Sequence, residues 1–261
     1  MTKLCFDAGH TKGDNKGAYA PYYEGTKMWD LHLMVKNYLE KNYEVEIKTT
    51  RSTSLIDYDE YKRGLMSKGC DGFYSFHSNF SDNSSLERVV IIRGLGITSL
   101  DKYSKELGDT IKEVMGITEK TQVWEREYKN DEYYGVLRGA KNVGVKNRFI
   151  IEHSWHSNPK YAKWLYNDSN LEKLAIAEGE CIAKFHKLKK KVPSMIKVIK
   201  DVNYRSKPIL KDDNYIVGKA KKGEVFTVTG IVDSDTKTKM YKLKSGNYIT
   251  SSPKYVVEYK K

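Results

Sequence analysis

The sequence has 261 residues, enough for one large hydrophobic core and a second, smaller one. Its formal net charge of +12 favours a polyanionic partner, such as nucleic acid, an anionic membrane or an anionic wall polymer. The three cysteines are widely spaced and form no Cys-x-x-Cys pair, which argues against a thiolate zinc site. We expect them to be small core residues in a reducing compartment.

The N-terminus enters a strand at once, with no apolar segment like that of a signal peptide. No apolar run is long enough to span a bilayer. We therefore expect synthesis in the cytoplasm without a signal peptide, so that any action on the cell wall follows release by another route.

Short apolar runs alternate with amphipathic segments over residues 1–187. This alternation predicts an α/β fold with a mostly parallel sheet flanked by helices. The aromatic segment 133–140 is left unassigned, and the polar loop 11–23 is expected to stay out of the core. The predicted strands are residues 3–6, 45–50, 73–76, 88–93 and 149–155, and the predicted helices are residues 24–41, 54–69, 100–115, 160–166 and 171–185.

The composition changes after a lysine-rich stretch, which predicts a linker at residues 188–195. Residues 196–261 contain short β-rich runs separated by turn residues, and this pattern predicts a small all-β barrel. This segment has 15 basic and 7 acidic residues, a net charge of +8. The sequence therefore predicts a large first domain, residues 1–187, and a small basic second domain.

Several candidate site residues lie at the ends of predicted strands. The apolar run that begins at Phe149 ends on Glu152, and two other strands end on His10 and His77, while Glu24 opens the first helix. Ligands gather beyond the carboxyl ends of parallel strands. Two imidazoles and one carboxylate suit a catalytic zinc ion, which keeps its fourth position open for water. Glu152 then suits the general acid and base.

Each of these residues also has a simpler explanation. A strand-end histidine is often a hydrogen-bonded loop residue, and the helix dipole alone explains Glu24. Among the other histidines, His32 is expected at the surface or packed and His186 in solvent. His156 is a candidate for lining the cleft, and strand alternation directs His153 to the face opposite the predicted acid.

Five motifs, in this order, resemble the zinc-dependent N-acetylmuramoyl-L-alanine amidases of the amidase-3 type. The resemblance covers about residues 3–185 and is also seen in the segments 45–51 and 134–138. Two departures are Thr11-Lys12 in place of Gly-Gly and His153 next to the acid. The motifs are Asp-Ala-Gly-His at 7–10, Glu24, Phe-His-Ser-Asn at 76–79, Ile-Glu at 151–152 and Ser-Asn-Pro at 157–159.

The resemblance implies that His10, Glu24 and His77 bind Zn²⁺ and that Glu152 is the catalytic acid and base. It also implies hydrolysis of the amide that joins N-acetylmuramic acid to L-alanine in peptidoglycan.

In the second domain, residues 202–208 and 223–228 resemble the opening of bacterial SH3-type wall-binding domains. The usual closing Gly-Trp-Val is only echoed at residues 246–249. The resemblance implies an SH3-like cell-wall-binding domain at residues 196–261, with aromatic contacts to peptidoglycan and lysines facing anionic wall polymers. The alternative is that the lysines only keep a small barrel soluble.

Four functions remain open at this point. The first is an endolysin-like amidase that lyses bacteria, with peptidoglycan and anionic wall polymers as partners and no nucleic acid. The second is a bacterial autolytic or mother-cell amidase of the same chemistry. The third is a nucleic-acid-binding protein, suggested by the charge and the 20 tyrosines, and the fourth an inactive wall-binding protein. The oligomeric state stays open.

Overall fold

The apolar runs of the first part of the chain form a six-stranded sheet in a computed structural model that describes residues 1–260. The chain divides into two units, Met1–Lys190 and the residues from Lys191 on. The strands of the first unit are β1 (Thr2–Ala8), β2 (Val45–Thr49), β3 (Gly72–Asn79), β4 (Val90–Arg93), β5 (Gln122–Trp124), β6 (Glu127–Tyr128), β7 (Asp131–Glu132) and β8 (Asn147–Trp155). The sheet order is β2-β1-β3-β8-β4-β5, and β6 and β7 form a separate hairpin.

Six helices cover the two faces of this sheet. Those named α1, α3, α5 and α6 contribute to the core on one face, and α4, with α2 packed against it, lies on the other. Burial on both faces explains why the central strands are almost continuously apolar. The helices are α1 (Glu24–Asn42), α2 (Glu60–Leu65), α3 (Asp101–Met115), α4 (Gly135–Asn142), α5 (Pro159–Tyr166) and α6 (Asp168–Phe185).

The sheet is mixed rather than uniformly parallel. Four of its five strand pairings are parallel, but β4 runs antiparallel to β8. The prediction of a mostly parallel sheet is therefore confirmed only in its coarser form, as an α/β sheet flanked by helices. Hydrophobic periodicity reports which faces are buried, whereas the direction of a strand depends on the connections before and after it.

The structure corrects two local predictions and assigns one segment that the sequence left open. Helix α2 begins at Glu60, after the N-cap Asp59, rather than near residue 54. The unassigned segment 133–140 contains the start of α4. The loop before α1 does reach the core, because Tyr22 is fully buried and its hydroxyl lies 2.6 Å from the Ser78 hydroxyl. A long amphipathic side chain can fill the core while its polar end finds a partner.

The second unit is an all-β sheet. Its strands pair antiparallel in the order β11-β10-β14-β13-β12-β9-β15, and its apolar core includes Ile196, Val228 and Ile249. Within residues 1–260 the outer strands do not pair with each other, so the sheet is not closed into a barrel. The strands are β9 (Met195–Val198), β10 (Val202–Arg205), β11 (Ile216–Ala220), β12 (Val225–Asp233), β13 (Lys239–Leu243), β14 (Tyr248–Thr250) and β15 (Val256–Glu258).

No helix among the described residues combines the length and the apolar character needed to cross a bilayer. The three cysteines are free in this part of the chain. Cys5 and Cys181 are buried, while Cys70 is partly exposed.

Candidate active site

A tight turn after β1 brings His10 against His77. His10 has a φ of 57°, in the left-handed region that a non-glycine residue seldom adopts. A Cβ at Gly9 would lie only 2.2–2.6 Å from atoms of the His77 ring, so only glycine fits between the two histidines. The two imidazole rings are 5.2 Å apart and nearly perpendicular.

Glu24, the first residue of α1, is buried between the two histidines. Its Oε1 lies 3.0 Å from His77 Nδ1 and accepts the Ser78 backbone N–H at 3.0 Å. Its Oε2 lies 3.5 Å from His10 Nε2 and accepts from the Asn15 amide at 2.9 Å. Burial by itself would raise the pKa of Glu24, but His77, His10 and Asn15 outweigh it and hold the pKa at about 2. This carboxylate is therefore ionised at neutral pH.

The second nitrogen of His77 is held by a buried chain of hydrogen bonds. His77 Nε2 lies 3.1 Å from the Ser75 Oγ, and the Ser75 hydroxyl donates to Asp7 at 2.6 Å. Because that hydroxyl donates its hydrogen bond to Asp7, its oxygen accepts a hydrogen bond from the Nε2 N–H. Without a metal, Nδ1 donates to the ionised Glu24 carboxylate at 3.0 Å. We infer that a cation bound at Nδ1 would displace that proton, while Ser75 keeps the proton on Nε2.

Asp7 is itself fixed on all sides. It is completely buried, receives a hydrogen bond from the Thr50 hydroxyl at 2.6 Å and pairs with Arg63 at 3.1 Å. In the sequence, Asp7 stands out as a charged residue inside an apolar strand, and a buried carboxylate needs partners of this kind. The predictions from sequence did not include these partners.

Glu152 lies beside His77, because the two residues are register partners in β8 and β3. Its Oε2 is buried and has no hydrogen-bond partner within residues 1–260. Burial raises the pKa of Glu152, His77 and His153 lower it and the charge of Glu24 raises it, with a net pKa of about 7. An oxygen that the protein itself leaves unpaired is available to a substrate or a water molecule.

The four candidate residues from separate segments thus meet at one edge of the sheet. One ligand atom from each of His10, Glu24 and His77 lies within 4.8 Å of the other two, close enough to hold a metal ion together. Glu152 is next to this group on the neighbouring strand.

Two of the remaining histidines contact backbone carbonyl groups of β3. His153 is fully buried, with Nε2 2.8 Å from Glu178 and Nδ1 2.8 Å from the His77 carbonyl oxygen, so it supports β3 from the opposite face. His156 Nδ1 lies 2.9 Å from the Ser78 carbonyl oxygen. The expectation that His186 is solvated is wrong, since its Nε2 lies 2.7 Å from the Tyr74 hydroxyl and the ring is partly buried.

Comparison with known proteins gives matches over both units. A family described as N-acetylmuramoyl-L-alanine amidase matches residues 4–184, and a domain of unknown function, DUF5776, matches residues 189–256. The chain is similar to the endolysin of Bacillus phage SPP1, with 30% identity over 287 aligned positions and 98% coverage of both chains.

Solved structures share the fold of the first unit. The catalytic domain of CwlV, an amidase from Bacillus (Paenibacillus) polymyxa var. colistinus, aligns with a TM-score of 0.61 and 19% identity, over 72% of this chain and 100% of that one. The CwlD amidase of Clostridioides difficile, in complex with the GerS lipoprotein, aligns with a TM-score of 0.59 and 20% identity, over 72% and 99%. The family match covers most of the chain, and the endolysin match nearly all of it. The chain therefore belongs to the N-acetylmuramoyl-L-alanine amidase family, and its activity is the hydrolysis of peptidoglycan.

Proposed function

We propose that His10, Glu24 and His77 hold a zinc ion and that Glu152 is the acid and base of amide hydrolysis. The donor set supports zinc, which favours imidazole nitrogen and carboxylate oxygen and uses three protein ligands in catalytic sites. When bound, the ion would polarise the scissile carbonyl and lower the pKa of water. The single observation that carries the proposal is the meeting of these three ligand atoms beside the unpaired carboxyl oxygen of Glu152.

Glu152 performs the proton transfers. As a carboxylate it takes a proton from the attacking water, whose oxygen bonds to the carbonyl carbon of the lactyl group. As a carboxylic acid it then returns that proton to the L-alanine nitrogen while the carbon–nitrogen bond breaks. The products are a lactyl carboxylate on the sugar and a free amine on the peptide. A pKa near neutrality suits a group that serves in both forms.

The second unit acts as the wall anchor in this proposal. We take residues 1–187 as the catalytic domain, 188–195 as a linker and 196–261 as an SH3-like wall-binding domain. In support, a surface cavity of about 310 Å³ in the second unit has Tyr204, Phe226 and Lys244 among its lining residues. Aromatic rings suit sugar and peptide faces, and the +8 charge suits anionic wall polymers.

The biological role proposed is that of an endolysin, which lyses bacteria after release from the cytoplasm. The similarity to a phage endolysin along nearly the full length of both chains supports this over an autolytic or mother-cell amidase. Nucleic-acid binding is disfavoured because it gives no role to the group of His10, Glu24 and His77.

The products of wall digestion test the chemistry directly. Amidase cleavage releases new L-alanine amino termini without new reducing sugars. We expect Glu152→Gln to keep its zinc but to lose about 10²–10⁴-fold in cleavage rate, the usual contribution of a general acid or base. New reducing ends, or a variant that clears walls at the wild-type rate, would contradict the proposal.

A further inference from the structure

The sheet face that carries Glu152 continues towards an aromatic and cationic surface. Val90 of β4 pairs with both Glu152 and Gln122, and the next residue of β4 on the same face pairs with Trp124. Trp124 therefore lies on the same face of the sheet as Glu152, two strands away and level with Ile150 of β8. Trp124 packs against the apolar cluster of this face, which includes Val90.

Arg126, in that segment, is a cation held in place by aromatic groups. Its guanidinium lies 5.7 Å from the Trp124 ring and 5.6 Å from the Tyr133 ring, and it donates a hydrogen bond to the Tyr134 hydroxyl at 3.3 Å. The side chain is exposed, and no carboxylate within residues 1–260 forms an ion pair with it. The rings therefore orient the guanidinium while its charge stays available to a ligand.

Tyr134 connects this cation to the acid. It is the N-cap residue of α4 and is partly buried. Its ring packs against the apolar cluster that includes Val90, the register partner of Glu152, and its hydroxyl lies 3.3 Å from the Arg126 guanidinium. In keeping with this position, burial raises the pKa of Tyr134, the Arg126 charge lowers it and the charge of Glu152 raises it. A substrate group that leaves Glu152 in this direction passes Tyr134 and reaches Arg126.

The acidic residues nearby do not neutralise Arg126. Glu125, Asp131 and Glu132 each pair with another basic side chain, and of this stretch only Glu127 forms no ion pair within the described residues. Arg126 therefore borders a surface that has an excess of unpaired positive charge. An adjoining cavity of about 540 Å³ is lined by Tyr128, Lys129, Asp131, Tyr133 and Arg138.

The proposed role of Glu152 gives the substrate a direction. Because Glu152 protonates the leaving nitrogen, the peptide half of the substrate must lie on the Glu152 side of the site, and the sugar half on the side of His10. The peptide is attached through its amino end, so its free end carries a carboxylate. We propose that Arg126, clamped by Trp124, Tyr133 and Tyr134, binds a carboxylate of the wall's stem peptide. This inference rests on the proposed function.

Binding of a released peptide tests the site without any chemistry. The probe is an acidic peptide that begins with L-alanine and has free carboxylates, titrated calorimetrically into the full chain. We expect Arg126→Gln to weaken binding roughly tenfold, as for the loss of a charge-assisted hydrogen bond. Arg126→Lys should recover only part of the affinity, because lysine cannot form the planar fork. Lys105→Gln removes the same charge from exposed α3 and should bind as the wild type does.

The same peptide with amidated carboxylates separates the outcomes. Wild type and Arg126→Gln should bind it equally weakly. A tenfold loss for both peptides would show that Arg126 acts on the fold or on another group, and equal binding of the acidic peptide by wild type and Arg126→Gln would overturn the proposal. If the Glu152→Gln enzyme still cleaves walls while the Arg126 effect holds, the proposed mechanism fails and the carboxylate site stands.

Discussion

At the scale of single residues, the site depends on buried groups that never touch substrate. The Ser75 hydroxyl donates a hydrogen bond to Asp7 and so accepts one from His77 Nε2, which leaves Nδ1 facing the other candidate ligands. Partners of this kind fix the tautomer and orientation of a ligating histidine, and their loss lowers metal affinity. The chain from Asp7 to His77 is thus expected to set affinity as well as geometry.

We therefore expect Ser75→Ala to bind zinc about 10–100-fold more weakly than the wild type, the usual effect of removing such a partner. Chelator competition measures the affinity, and nitrogen chemical shifts of His77 report the tautomer. Ser104→Ala is the matched control, because this hydroxyl is buried and has no hydrogen-bond partner within the described residues. Unchanged zinc affinity and an unchanged His77 tautomer in Ser75→Ala would refute the role.

At the scale of elements, α1 combines a site residue with a core contact. Glu24 begins the helix at the rim of the sheet, and His32, just over two turns later, is buried in the same helix. His32 Nδ1 lies 2.5 Å from the Trp29 carbonyl oxygen, to which it donates, and its Nε2 has no partner within residues 1–260. A second proton on this ring would have no acceptor.

This arrangement predicts that acid weakens the fold through α1. Burial lowers the pKa of His32 to about 4, although its bond to the Trp29 carbonyl opposes the shift. The unfolded chain, with an ordinary histidine pKa near 6.5, takes up the proton first as the pH falls. The free energy of unfolding should therefore drop between about pH 6.5 and pH 4, by up to about 3 kcal/mol from this group.

Urea unfolding of the metal-free protein at pH 7 and pH 5 measures the effect. His32→Met removes the titrating group and should lose less stability over this interval than the wild type. The other histidines titrate in both proteins, so the difference between the two isolates His32. Parallel pH dependences would show that His32 does not resist protonation in the folded state.

At the scale of the whole molecule, charge is unevenly shared between the two units. Residues 196–261 carry +8 of the total +12 in about a quarter of the length. Linking a wall-binding unit to an enzyme raises the local substrate concentration without changing its active site. The second unit should therefore control residence on the wall rather than the chemistry.

Sedimentation with purified walls checks this role. In the Glu152→Gln background, the full chain should pellet with walls at least roughly tenfold more tightly than the same chain ended at Lys190. Walls stripped of anionic polymers should retain less of the full chain, and added salt should act in the same direction. Equal pelleting of the two chains would assign wall binding to the first unit instead.

Much of the site was predictable because the chemistry resides in residue types at recognisable places. Patterns of apolar residues predicted the elements that carry the candidate site. Each candidate follows or opens one of these elements, namely His10, Glu24, His77 and Glu152. The Ser75 hydroxyl gave no such signal, since a serine in a strand looks the same whether or not it supports a ligand. The prediction that His186 is solvated was wrong because a basic stretch of sequence indicates exposure, whereas this ring contacts the Tyr74 hydroxyl.

The sequence by itself determined most of the elements, the α/β character of the first unit and the identity of the candidate donors, because periodicity and residue chemistry are local properties. Only the tertiary structure decided that β4 runs antiparallel, that His77 and Glu152 are neighbours and that one oxygen of Glu152 stays unpaired. Those outcomes depend on which distant segments pack together, and strand neighbours and directions are not encoded in any single window of sequence.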